Sequence, residues 1–186
     1  MAARRVAVLV GSLRKDAFTR RVALALRELQ PAGLRLEIVE IRDLPLYDQD
    51  AEASPPAPWV AFRDSVRACD AVLFATPEYN RSIPAALKNA IDVGSRPYGK
   101  SVWSGKPCAV VSTSPGALGG FGANHHLRQC LVFLDMPVVQ QPEMYLGGVD
   151  KLVDSGGKVT SDATRDLFTR FLSTFAAWIE SNVHAA

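Results

Sequence analysis

Several things are scarce in this chain, and each scarcity closes off a class of protein. Cysteine comes first: there are only three, Cys69, Cys108 and Cys130, far apart and with no C-x-x-C pair. An odd, scattered set predicts neither a disulfide frame nor a zinc site, and suits reduced thiols in a cytoplasmic protein. Long apolar runs are missing too. The longest, such as residues 6–10 and 71–75, fall far short of the ~18 residues that a membrane helix needs, and no signal peptide opens the chain, so membrane insertion is not expected. Net charge is almost absent. The 21 basic residues against 19 acidic ones leave +2, too little for the broad basic face that nucleic acid requires. Repeats and low-complexity stretches are lacking as well.

What is present is ample core. A composition of 48% apolar and 22% charged residues supports one hydrophobic interior, and 186 residues predict a single domain over 1–186 on a prior of roughly 150 residues per domain. The charge is unevenly spread, with seven Lys or Arg against two acidic residues in positions 1–30. Residues 43–58, with four acidic residues and four prolines, break any periodicity and read as a long surface loop.

Around that loop, short β-branched runs alternate with longer segments of helical period, the pattern of a parallel sheet covered by helices. Strands are predicted at 5–10, 34–41, 71–75, 108–112 and 138–141. Helices are predicted at 17–29, 59–69, 84–93, 124–134 and 163–183. The uninterrupted apolarity of 71–75 suits a central strand buried on both faces. Five strands and five helices predict an α/β flavodoxin-like fold: a three-layer sandwich whose five-stranded parallel sheet has the order 2-1-3-4-5.

In such a sheet, ligands bind beyond the carboxyl ends of the strands where strand order reverses, between the first and third strands. Three unusual loops lie there. The first, Gly11-Ser12-Leu13-Arg14-Lys15, joins a strand end to a helix start and offers free amides, hydroxyls at Ser12 and Thr19, and cations. That is an anion cradle, although a plain capped turn with solvated cations has the same composition. The second, Thr76-Pro77-Glu78-Tyr79-Asn80, can present polar backbone and a flat ring to a planar heterocycle, or form an ordinary turn. The third runs from Ser112-Thr113-Ser114-Pro115-Gly116 to Gly119-Gly120, where glycines let backbone approach a ligand closely.

These residues resemble a known family. The runs at 11–15, 77–84 (Pro-Glu-Tyr-Asn-Arg-Ser-Ile-Pro), 87–92 (Leu-Lys-Asn-Ala-Ile-Asp), 95–97 (Ser-Arg-Pro) and 112–120 are similar to the NAD(P)H-dependent FMN reductases, which include bacterial quinone and chromate reductases. The resemblance extends through Gln141-Pro142-Glu143. It implies an enzyme in which NADPH or NADH passes hydride through bound FMN to a small-molecule acceptor by a ping-pong mechanism. The acceptor would be a quinone, a flavin or an oxidised metal species, and the protein a homodimer or homotetramer. It further implies that Ser12, Arg14, Phe18 and Thr19 hold the phosphate end, that Pro77, Glu78, Tyr79 and Asn80 meet the ring, and that Ser112, Ser114 and Gly116 line its far side, with Gly11 and Gly119 also among the cofactor-binding residues. No side chain is assigned as catalytic, because the cofactor carries the hydride chemistry. The chain departs from the family pattern at Ala17 and Thr19, where serine and asparagine are usual, and at Ala85 and Val93. The alternative is an FMN-binding electron carrier or redox sensor that does not turn over NAD(P)H, although a net charge of +2 lacks the acidic docking surface of a carrier.

Other signals compete. Residues 94–101 (Gly-Ser-Arg-Pro-Tyr-Gly-Lys-Ser) match the nucleotide-binding pattern G-x-x-x-x-G-K-[ST], and Leu131–Asp135 resembles its magnesium-binding partner, but the required strand before and helix after are not predicted. His125 and His126 are neighbours, so they should point to different helix faces rather than share a metal, and His184 reads as tail. Arg128 and Glu143 read as surface charges, with a pairing between subunits as the sharper alternative.

Overall fold

The computed structural model describes residues 2–183, so His184 lies outside the described residues. Five parallel strands, β1 (Arg4–Val10), β2 (Leu34–Ile38), β3 (Ala71–Pro77), β4 (Cys108–Thr113) and β5 (Met144–Leu146), form one sheet in the order β2-β1-β3-β4-β5. The helices are α1 (Phe18–Glu28), α2 (Ala57–Arg67), α3 (Ala85–Gly94), α4 (Phe121–Phe133) and α5 (Asp162–Asn182).

Alternation along the strands divides the interior into two cores. Val6, Val8, Val10, Leu73 and Val111 face α1 and α5, where they meet Val22, Leu26, Phe168, Phe171 and Phe175. Ala7, Leu9, Val72, Phe74 and Val110 face α2, α3 and α4, where they meet Trp59, Phe62, Leu87, Trp103 and Leu127. The central strands β1, β3 and β4 are therefore buried on both sides, which is why they read as continuous apolar runs.

Two predicted boundaries are corrected. The fifth strand is not at 138–141: that stretch makes a single bridge from Val138 to Cys108, and the paired strand is Met144–Leu146 against Val111–Thr113. Pro142 has no N–H to give to a ladder, and the Val139 carbonyl is taken by the Arg128 guanidinium, so pairing breaks off and resumes two residues beyond the proline. Helix α4 begins at Phe121, three residues before its predicted start, because Gly120 adopts the left-handed conformation (φ +77°) at its N-cap. The loop at 43–58 contains a short 3-10 turn, Gln49–Ala53, and is not loose. Asn89 of α3 accepts from the Tyr47 amide (2.8 Å) and donates to the Pro45 carbonyl (3.0 Å), while Arg96 ties Glu52 at 2.8 Å.

The nucleotide-like run at 94–101 is no phosphate site. Gly94 ends α3 against the Trp103 indole, where an added Cβ would lie 2.4 Å from a ring carbon, and no helix follows Lys100. Leu131–Asp135 finishes α4 and the turn after it.

Candidate active site

At the carboxyl edge of the sheet the three loops meet around a cleft of about 130 Å³, lined by Ser12, Arg14, Ala17, Phe18, Thr19, Pro77, Glu78, Tyr79, Thr113, Ser114 and Pro115. The first loop leaves β1 at Gly11, whose amide donates to Ala75 O at 2.8 Å. A Cβ on Gly11 would come within 3.2 Å of Leu87 and 3.3 Å of Pro77, so glycine lets the first and second loops close on each other. Ser12 then accepts from the Arg14 amide and meets the Tyr79 hydroxyl at 3.3 Å. The Leu13 carbonyl accepts from Arg42, which holds the loop from beyond β2.

Helix α1 opens on this cleft without a cap of its own. Ala17, at the N-cap, offers no side-chain hydrogen bond, and the Phe18 and Thr19 amides find no partner among the described residues. Thr19 is 1% exposed, yet its hydroxyl has no hydrogen-bond partner. A buried, unpaired hydroxyl costs about 1–3 kcal/mol unless something else meets it. Open amides, the positive end of a helix dipole and this hydroxyl are a donor set for an anion. The Arg14 and Lys15 side chains have no protein partner among the described residues. Arg20 and Arg21, by contrast, are already engaged: Arg20 pairs with Glu40 at 2.5 Å, and Arg21 lies over the Phe18 ring at 5.2 Å. Of the seven basic residues at 1–30, Arg4, Arg5 and Arg20 pair with carboxylates, Arg21 stacks on Phe18 and Arg27 sits in the last turn of α1, so Arg14 and Lys15 are the two left without a partner near the start of that helix among the described residues.

The second loop is a tight hairpin. Tyr79 and Ser82 exchange both backbone bonds, at 2.9 and 3.0 Å, around Asn80 (φ +51°) and Arg81 (φ +65°). Two successive left-handed residues make a type I′ turn, which Asn suits and Arg tolerates at a cost. Pro77 and Tyr79 face the cleft. The Glu78 carboxylate turns away from open solvent to accept from the Ala123 amide at 3.1 Å and from Arg81 at 3.0 Å.

In the third loop several expected residues have other occupations. Ser112 is fully buried, accepts from Asn124 Nδ2 at 3.2 Å and donates to Met144 O at 3.4 Å; Asn124 in turn accepts from Arg128 Nε at 2.9 Å. Ser114 reaches the cleft while accepting from the Gly116 amide at 3.0 Å. Gly116 is exposed on the rim. Gly119 is buried at φ +60° against β5, where a Cβ would fall 2.5 Å from the Tyr145 carbonyl carbon, so its place is in the packing behind the loop. The cleft also takes in Thr113 and Pro115, which the sequence reading passed over although they lie inside the run that it singled out. Arg42 carried no local signal at all.

Nearby residues singled out in the sequence have partners within the chain. His125 contacts the Tyr145 hydroxyl and His126 contacts Ser82, each at 3.0 Å, so the two imidazoles point apart. Arg128 is not a surface charge: it is half-buried and spent on Asn124 and Val139. Glu143 accepts from Tyr145 at 2.8 Å, and burial together with that carboxylate pushes the tyrosine up to about 12. Burial raises all three cysteine thiols, the opposite of what activates a nucleophilic thiolate.

Residues 4–151 match the family described as NADPH-dependent FMN reductase. A quinone reductase of Pseudomonas putida is 63% identical over 178 residues, which is 95% of each chain. A 2-hydroxy-1,4-benzoquinone reductase from Burkholderia is 44% identical across 94% of this chain and 96% of that one. Among solved structures, the flavoenzyme NAD(P)H:(acceptor) oxidoreductase FerB from Paracoccus denitrificans superposes with a TM-score of 0.92 at 38% identity, covering 97% of this chain and 99% of that chain. With an anion-ready helix start and the converging loops where the sheet order reverses, the chain belongs to the NADPH-dependent FMN reductases, flavoprotein oxidoreductases that use FMN with NAD(P)H.

Proposed function

We propose that the whole chain, residues 1–186, acts as one FMN-binding domain of a quinone reductase, with NAD(P)H and the acceptor occupying the same site in turn. The observation that carries this reading is the buried, unpaired Thr19 hydroxyl beside the open amides of α1. It is a donor set with nothing in the protein to satisfy it, placed where the phosphate end of FMN would sit. Ser12, Arg14, Phe18 and Thr19 would hold that end, with Gly11 allowing the loop its close turn. Pro77, Tyr79 and Asn80 would meet the ring from one side and Ser114 and Gly116 from the other, with Glu78, Ser112 and Gly119 supporting those loops from behind. When bound, FMN supplies the capacity to take hydride from NAD(P)H and give it to an acceptor. The protein's part is to hold the cofactor and leave one side accessible to both reactants, which needs no acid–base side chain.

Quinone is the acceptor favoured by the names of the relatives, with a second flavin or an oxidised metal species as further candidates. The outer face of α4 suits self-association into a homodimer or homotetramer, since Val132 and Phe133 are 76% and 89% exposed there. Three free cysteines fit a reducing cytoplasm.

The test is steady-state oxidation of NADPH and of NADH by purified, FMN-loaded protein with benzoquinone as acceptor. Turnover with parallel double-reciprocal lines is expected. FMN that binds without any consumption of either nicotinamide would overturn the enzyme reading, and intersecting lines would overturn the alternating one.

A further inference from the structure

Helix α4 starts without a side-chain cap from its own segment. Gly120 stands at the N-cap, and the Phe121 and Asn124 amides are met by the backbone carbonyls of Leu118 and Gly120. The Ala123 amide is met from another part of the chain, by Glu78 Oε2 at 3.1 Å, while Glu78 Oε1 takes Arg81 at 3.0 Å. The Glu78 side chain is 12% exposed. One carboxylate therefore joins the loop after β3 to the helix that continues the loop after β4, and the positive end of α4 favours its charge. The space is tight. A Cβ on Gly122, in the first turn of α4, would lie 2.9 Å from Glu78 Oε2 and 2.9 Å from the Arg81 carbonyl oxygen.

We infer that Glu78 is a positioning residue rather than a ligand of the flavin ring: it clamps the second loop to α4 and so sets the gap between the two loops that bracket the ring. This rests on the FMN reading above. Glu78 lines the cleft beside Pro77 and Tyr79, yet each of its carboxylate oxygens is taken by a protein donor, the Ala123 amide and the Arg81 guanidinium. The clamp also explains how the left-handed Asn80–Arg81 turn is held, because Arg81 is fastened at its carbonyl side by Gly122 packing and at its guanidinium by Glu78.

The experiment compares Glu78→Ala, Glu78→Gln, Gly122→Ala and the double variant Glu78→Ala/Gly122→Ala. FMN dissociation constants, the visible circular dichroism of bound FMN and amide hydrogen exchange of the cofactor-free proteins are measured. Glu78→Ala should weaken FMN by roughly tenfold or more and speed exchange at the Ala123 amide, the range expected for a lost charge-assisted bond. Glu78→Gln, whose amide oxygen still accepts from Ala123, should recover most of both. Gly122→Ala is the separating variant. Alanine is the better helix former, so a loss cannot come from a weaker α4. It should nevertheless reproduce the weakening and the altered dichroism, with little added in the double variant.

FMN binding by Gly122→Ala equal to that of the parent, fully additive losses in the double variant, or Ala123 exchange unmoved by Glu78→Ala would each overturn the clamp. Failure of the parent protein to bind FMN would strike the FMN reading instead, and the exchange measurement on cofactor-free protein would still report on the clamp.

Discussion

The start of α1 and the loops after β3 and β4 face each other across one cleft, yet they handle their polar groups in opposite ways. On the α1 side, the Phe18 and Thr19 amides, the Thr19 hydroxyl and the Arg14 guanidinium are left without protein partners. On the other side nearly everything is spoken for: Glu78 holds α4, Ser112 holds Asn124 and Met144, and Ser114 holds Gly116. One region is a set of unspent donors awaiting a charged ligand. The other is a self-satisfied scaffold that offers shape and backbone. A flat, mostly apolar ring needs a well-held slot, whereas a phosphate needs free donors, and the proposed placement of FMN follows that division.

The strongest test of this contrast is Gly119→Ala. Its Cβ would collide with the Tyr145 backbone at a φ of +60°. The substitution should cost about 2–4 kcal/mol of stability in cofactor-free protein, read by urea unfolding. An unchanged stability with lost FMN binding would instead put Gly119 at the ligand. Arg14→Ala should do the reverse, leaving unfolding unaltered while weakening FMN by about 1.5–3 kcal/mol in a fluorescence titration. Unchanged affinity would remove Arg14 from the site.

Thr19→Val keeps the shape and deletes an unpaired hydroxyl, so cofactor-free protein should be as stable as the parent or slightly more so, while FMN binding weakens by about 1 kcal/mol. A loss of stability without ligand would mean that the hydroxyl already has a partner in the free protein. The smallest effect belongs to Tyr145, behind the scaffold side. The fold favours its protonated hydroxyl, so that stabilisation is complete below the ordinary tyrosine value of 10 and is lost as pH rises through about 12. Tyr47 is also held above the ordinary value by its bond to Glu52, so absorbance titration should show late-ionising tyrosine absorbance that falls, without vanishing, in Tyr145→Phe.

The sheet order, the two-sided burial of β1, β3 and β4, and the convergence of three loops were legible from alternation and loop chemistry. So was the donor-rich start of α1, since glycine, hydroxyl and cation at a strand-to-helix junction act through local backbone. What escaped was non-local. The fifth strand was read at an apolar run, because the proline and the Arg128 bond that stop pairing there belong to another level of structure. A hydroxyl and a carboxylate in a site loop have the same sequence signature whichever way they face, and only the fold shows that Ser112 and Glu78 engage Asn124 and Ala123.

Periodicity and composition carried the α/β class, and the three loop motifs carried the resemblance to the family. These depend on local propensity and on which residues must be buried. Only the tertiary structure decided which polar groups remain free. Asn124, Ala123 and Glu40 lie 12, 45 and 20 residues from the groups they engage, and hydrogen-bond donors are used up by whichever partner the fold brings within about 3 Å. The unspent hydroxyl of Thr19, at the open start of α1, is part of what that accounting leaves.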